Sequence, residues 1–142
     1  MANVRNNGHA SGFGRLLVVI YAIFAIAATS RSVIQLTTRF DEAPVAYLLS
    51  AVAAAVYIVA TIALGLGERG TKVATVAITF ELGGVLIVGA LSLLESSWFP
   101  RATVWSGFGV GYALIPLILP IVGLWWLRRE RLRGRSINIE SD

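Results

Sequence analysis

VATVAITFELGGVLIVGALSLL, residues 73–94, decides the fold. Its only charged side chain is Glu81, near the middle. A helix of that length rises about 33 Å at 1.5 Å per residue. The hydrocarbon core of a bilayer is about 30 Å thick. Spanning barrel strands are shorter and alternate in polarity, and this run does neither. It therefore reads as a transmembrane helix carrying a carboxylate.

Three further runs have the same character, at about 15–36, 45–66 and 104–127. They predict an all-α membrane protein with four transmembrane helices in an antiparallel bundle. The composition agrees: 56% of the 142 residues are hydrophobic and 14% are charged, against about 25% charged in a soluble domain. The first run is too long for the apolar core of a cleavable signal peptide and reads as a retained helix. Residues 1–14 are expected as a polar tail and 128–142 as a basic one.

The connections are short and carry turn chemistry. In TTRFDEAP (37–44), Asp41 is a candidate cap and Pro44 fits a first helical turn. GLGERGTK (65–72) has three glycines, and in ESSWFPRAT (95–103) Pro100 is placed to open the last helix. None is long enough to fold into a domain, so any activity lies in or beside the bilayer.

Charge sets the orientation. Arg5, Arg15, Arg69, Lys72, Arg128, Arg129, Arg131, Arg133 and Arg135 fall on one side of a four-span chain; Arg31, Arg39 and Arg101 fall on the other. The positive-inside rule then places both termini in the cytoplasm. Trp98 and Trp105 are expected at the outer interface, Trp125 and Trp126 at the inner one. The five arginines of 128–135 follow directly on WWL, which makes them an anchor for anionic lipid headgroups rather than a nucleic-acid patch.

The chain has no cysteine and a single histidine, His9. Thiolate metal sites, cysteine nucleophiles and histidine-based centres have no material, so no metal and no cofactor is expected. No nucleophile–base pair stands out, and an enzyme is the least favoured class.

Two ionisable residues lie within the spans, and such residues mark functional sites by default. Glu81 sits about 12 Å from the inner edge of the core and Arg31 about 22 Å. That gap of about 10 Å disfavours a direct salt bridge. Tyr57 is level with Glu81 and is the expected hydrogen-bond partner, with Thr61 one turn below. Gln35 and Tyr112 are expected to join Arg31 in a second polar layer. Small residues line both faces concerned: Ser50, Ala53, Ala54, Tyr57, Ala60 and Thr61 on one helix; Ala74, Ala77, Ile78, Glu81, Gly84, Val85, Val88 and Ser92 on the other. Such faces pack closely in membranes. Neutralising a glutamate at pH 7 costs about 3.7 kcal/mol; burying it ionised costs about 2.5–3.5 kcal/mol on the insertion scale. The two are close, so a proton-linked role is physically available. In the last run, Gly107 and Gly111 have small-xxx-small spacing, and Pro116 and Pro120 are expected to kink the helix.

The first two runs, AIFAIAATSRSVIQLTTRFDEAPVAYLLSAVAAAVYIVATIAL, resemble a family of small actinobacterial integral membrane proteins. SRSVIQ and RFDEAPVAYLLSA carry the resemblance most specifically. It implies four helices and a plasma-membrane location, and it brings no catalytic residues. Small multidrug exporters carry their essential glutamate in the first helix, and fluoride channels a GGxxGAxxRY pattern that is absent here. The leading functional expectation is a non-enzymatic accessory or scaffolding subunit of a membrane assembly. The alternative is a small homo-oligomeric transporter or channel with Glu81 as the ion- or proton-linked site. The expected partners are the bilayer and a membrane protein or second copy.

Overall fold

The computed structural model describes the backbone of residues 2–141 and the side chains of 12–97 and 99–133. The readings placed on the side chains of Arg5, His9, Trp98 and Arg135 lie outside the described residues. The described chain is helical with no strand: α1 (Ala2–Thr38), α2 (Pro44–Gly65), α3 (Thr71–Leu94) and α4 (Ile115–Ser141). Short 3-10 turns fill the connections. Three helices are long and apolar enough to cross a membrane, or four if a bent pair counts as one span.

The helices are inside-out by soluble standards. On α3 the buried positions are Ala74, Ala77, Ile78, Glu81, Val85, Val88 and Gly89. On α2 they include Ser50, Ala53, Ala54, Tyr57 and Ala60. Both small-residue faces therefore turn inward. The large apolar side chains turn out: Val76 is 70% exposed, Phe80 56% and Ile87 62%. Apolar surface on this scale suits lipid. Small residues inside let backbones approach, which is how helices associate without a hydrophobic drive.

The ends of the helices differ in detail from the expected ones. α1 begins at Ala2 and α4 runs to Ser141, so both expected tails carry helix. Pro44 opens α2 as anticipated, but Ala43 holds the cap position and makes no side-chain cap bond. Asp41 instead lies in the 3-10 turn Phe40–Glu42. Pro100 lies in a bend well before α4.

The main departure is the last run. Residues 104–127 do not form one helix. Ser106–Tyr112 is a 3-10 segment, and it meets α4 at 99° across a short break. Gly107 and Gly109 take φ of +58° and +83°, and Phe108, Ala113 and Leu114 also lie in the left-handed region. Glycine enters that region without a Cβ clash. GFGVG is therefore a chain reversal, not a helix-contact face. Pro116 falls in the first turn of α4, where a missing N–H costs nothing. Pro120 alone lies inside the helix. The apolar part of α4, 115–127, rises only about 20 Å.

Aromatic rings dock the reversal onto α3. The Trp105 ring lies over Gly84, and the Phe108 ring over Gly89. A Cβ at Gly84 would sit 2.5 Å from the Trp105 ring, whereas one at Gly83 would meet nothing within 4 Å. Gly84→Ala is therefore expected to cost about 1–3 kcal/mol by overpacking. Gly83→Ala is expected to be neutral or to gain up to about 1 kcal/mol from helix propensity. Unfolding of the two variants in detergent, side by side, checks the seating of Trp105.

Candidate functional site: a sealed carboxyl and a vented arginine

Glu81 is fully buried. Tyr21 of α1 donates its hydroxyl to Glu81 Oε2 at 2.6 Å. Gly123 of α4 lies against Ile78 and the Tyr21 hydroxyl. The second oxygen, Oε1, is buried with no hydrogen-bond partner among the described residues. A buried carboxyl with one satisfied oxygen is under-satisfied by the usual standard of protein interiors.

The expected Glu81–Tyr57 bond is replaced by another arrangement. Tyr57 is buried as anticipated, but its hydroxyl accepts a 3.1 Å bond from the Trp105 indole N–H. Trp105 is therefore an interior residue at 2% exposure, not an interface marker. Its place is set locally. Thr103 Oγ1 accepts from the Trp105 and Ser106 N–H groups, and Ser106 Oγ accepts from the Thr103 N–H at 2.8 Å. Thr61 joins no shared layer: its hydroxyl donates to the Tyr57 carbonyl one turn back, at 2.6 Å.

Tyr21 was not among the expected residues, although a signal was present. Leu17, Tyr21, Ala25, Ala28 and Ser32 follow helical spacing and all are buried. That is a small-residue face like those of α2 and α3, with a tyrosine on it as on α2.

Rings bridge the two polar layers. Tyr21 and Tyr57 have centroids 6.1 Å apart, Phe24 and Tyr57 5.6 Å, and Phe24 and Tyr112 5.9 Å. All three are tilted contacts, within the range in which rings attract one another. Above them, Arg31 donates to the Tyr112 hydroxyl and, at 3.2 Å, to the Ala102 carbonyl. The Arg31–Tyr112 pairing is as anticipated, and no Arg31–Glu81 bridge forms. Gln35 stands apart: its Oε1 is buried without a partner among the described residues.

Arg128, Arg129, Arg131 and Arg133, expected as a headgroup anchor, are exposed on the continuation of α4. Arg129 stacks over the Trp125 ring at 5.3 Å, and Arg133 lies 3.7 Å from Glu130. Among the described residues no cluster of three or more His, Cys, Asp or Glu is arranged to hold a metal ion.

Comparison of the chain with known protein families, with curated proteins and with solved structures returns no match. The reading of the site therefore rests on its geometry.

Tyr21→Phe removes the only hydrogen-bond donor to Glu81 among the described residues. It is expected to destabilise the fold by about 1–3 kcal/mol, the cost of an unsatisfied buried polar group. Combining it with Glu81→Met removes both partners and should cost less than the sum of the two single changes. A double-mutant cycle of unfolding in detergent measures that coupling. Additive losses would show that the Tyr21–Glu81 bond contributes no stability.

Proposed function

We propose that this chain is a multi-pass integral membrane protein that serves as a non-enzymatic accessory or scaffolding subunit of a membrane assembly. One observation carries the reading: Glu81 is enclosed at 0% exposure and bonded to Tyr21. The cavities of about 750 Å³ and 500 Å³ lie towards the two ends of the bundle and are lined by other residues. A carboxyl held this way pins helices together. It is not presented to a passing ion.

In this reading the chain crosses the plasma membrane four times, with neighbouring helices antiparallel. The bent pair of Ser106–Tyr112 and α4 makes the fourth crossing. Both termini are cytoplasmic, on the nine-against-three distribution of basic residues. The resemblance to the actinobacterial four-helix family belongs to the same proposal. The exposed apolar faces of α1, α2 and α3 meet lipid and a membrane-protein partner or second copy.

A second reading has its own observation. Glu81 Oε1 lacks a partner, which leaves room for a proton- or ion-linked role in a small homo-oligomeric transporter. The deciding experiment has two stages. Mild solubilisation and capture of the tagged protein, followed by mass spectrometry, is expected to return a different membrane protein at fixed ratio. Glu81→Gln keeps size and hydrogen bonding but removes titration; it is expected to preserve that ratio and the folded state. A homo-oligomer with nothing attached, whose flux in vesicles is lost in Glu81→Gln, would replace the subunit reading with the transporter.

Orientation is tested separately. With the five arginines of 128–135 changed to glutamine, a C-terminal reporter active only in the cytoplasm should lose part of its signal. Undiminished signal would show that Arg15, Arg69 and Lys72 suffice.

A further inference from the structure

The Arg31 guanidinium is held in place but not neutralised. Among the described residues two of its donors are used, on the Tyr112 hydroxyl and the Ala102 carbonyl. A guanidinium has five N–H donors in a planar fork. The ion pairs among the described residues, Glu42–Arg101 and Glu130–Arg133, leave Arg31 out. A cation at this depth of a spanning helix is costly, and the Ala102 carbonyl meets part of its need without cancelling its charge.

Arg31 opens into a groove of about 500 Å³ beside the chain reversal. The walls differ in character. Ser106, Thr103 and Tyr112 supply polar atoms, while Leu93, Phe99 and Val110 form an apolar side. Leu93 and Val110 are each 67% exposed, so the apolar side continues onto the outer surface of the bundle. The backbone that shapes this groove is fixed: the Gly107 N–H donates to Ser92 Oγ at 2.8 Å, and Ser92 Oγ donates to the Gly89 carbonyl. The arginine thus faces a preformed, half-apolar recess with spare donors and an unmatched charge.

We infer that the groove between Arg31 and the 106–112 reversal binds a phosphate group, with the apolar wall taking hydrocarbon attached to it. The fork of an arginine matches phosphate oxygens two at a time. The phosphate comes either from an anionic lipid headgroup or from free phosphate in solution. Both present the same oxygens to Arg31, and only the lipid uses the wall of Leu93, Phe99 and Val110.

The test is calorimetric titration of the full chain in detergent with short-chain phosphatidylglycerol and, separately, with inorganic phosphate. The tail arginines also attract anionic lipid, so the same titrations are run with Arg128, Arg129, Arg131, Arg133 and Arg135 changed to glutamine. The expected result is one saturable phosphatidylglycerol site per chain that survives the tail changes. Arg31→Gln should weaken that site at least tenfold. Val110→Glu should do the same, because it places a carboxylate at an exposed edge of the groove while leaving the Arg31–Tyr112 bond in place. It keeps the test decisive where Arg31→Gln fails to fold. Saturable binding of inorganic phosphate with the same dependence on Arg31 would support the site and name free phosphate as its source. Binding that disappears with the tail arginines, or is indifferent to both Arg31→Gln and Val110→Glu, would overturn it. So would the lack of any saturable site for either probe.

Discussion

The hydrogen bond from Tyr21 to Glu81 is the constraint around which the interior is arranged. In a dry core a carboxyl must be given a donor or remain a standing cost. Tyr21 supplies the donor from α1, and this ties α1 to α3 across the bundle. Gly123 of α4 packs beside them: a Cβ there would crowd Ile78 at 3.3 Å and touch the Tyr21 hydroxyl at 3.6 Å. Tyr57 is not the partner in this arrangement. Its hydroxyl takes the Trp105 indole instead, and that second bond fixes the start of the chain reversal. One buried acid thereby organises residues from α1, α2, α3 and the segment before α4.

The glycines of α3 follow from this. A helix–helix seam uses small residues to bring two backbones together. Here Gly84 and Gly89 seat rings: Trp105 on the first, Phe108 on the second. The reversal is therefore held by side-chain packing and by the Thr103–Ser106 exchange of hydrogen bonds, rather than by a continuous helical ladder. Non-helical backbone at membrane depth is tolerated where protein buries it or where it lines a cavity. The 106–112 segment meets both conditions, against α3 on one side and beside the Arg31 groove on the other.

The sequence made the helices legible because length and apolar content dominate that decision. It also made the two small-residue faces legible, since 3.6-residue spacing is a local property: Ser50, Ala53, Ala54 and Tyr57 are buried together, as are Ala74, Ala77, Ile78 and Glu81. The Arg31–Tyr112 pairing was readable from depth alone. Partner choice for Glu81 was not. Depth placed Tyr57 and Glu81 at one level, but which helix faces the carboxyl depends on the rotation of each helix about its own axis. The break in the last span was hidden for a different reason. Hydropathy averages over 104–127 and sees one apolar run, while the three glycines of GFGVG read equally well as a contact face or as a turn. Left-handed φ at Gly107 and Gly109 decides between them.

Glu81 and Arg31 illustrate two ways of carrying an ionisable group within a bundle of apolar helices. Glu81 is fully enclosed, with one carboxyl oxygen held by Tyr21 and the other without a partner among the described residues. Arg31 lies one layer higher, where α4 has turned away and the backbone of 102–112 leaves a groove. Aromatic rings of Tyr57, Phe24 and Tyr112 separate the two layers, and the centroid distances of 5.6–5.9 Å leave no room between those rings for an ordered water chain. The 99° bend between Ser106–Tyr112 and α4 lies beside the groove into which Arg31 opens, while Tyr21 holds Glu81 in the closed interior, and the arginine and the glutamate share one small bundle without pairing.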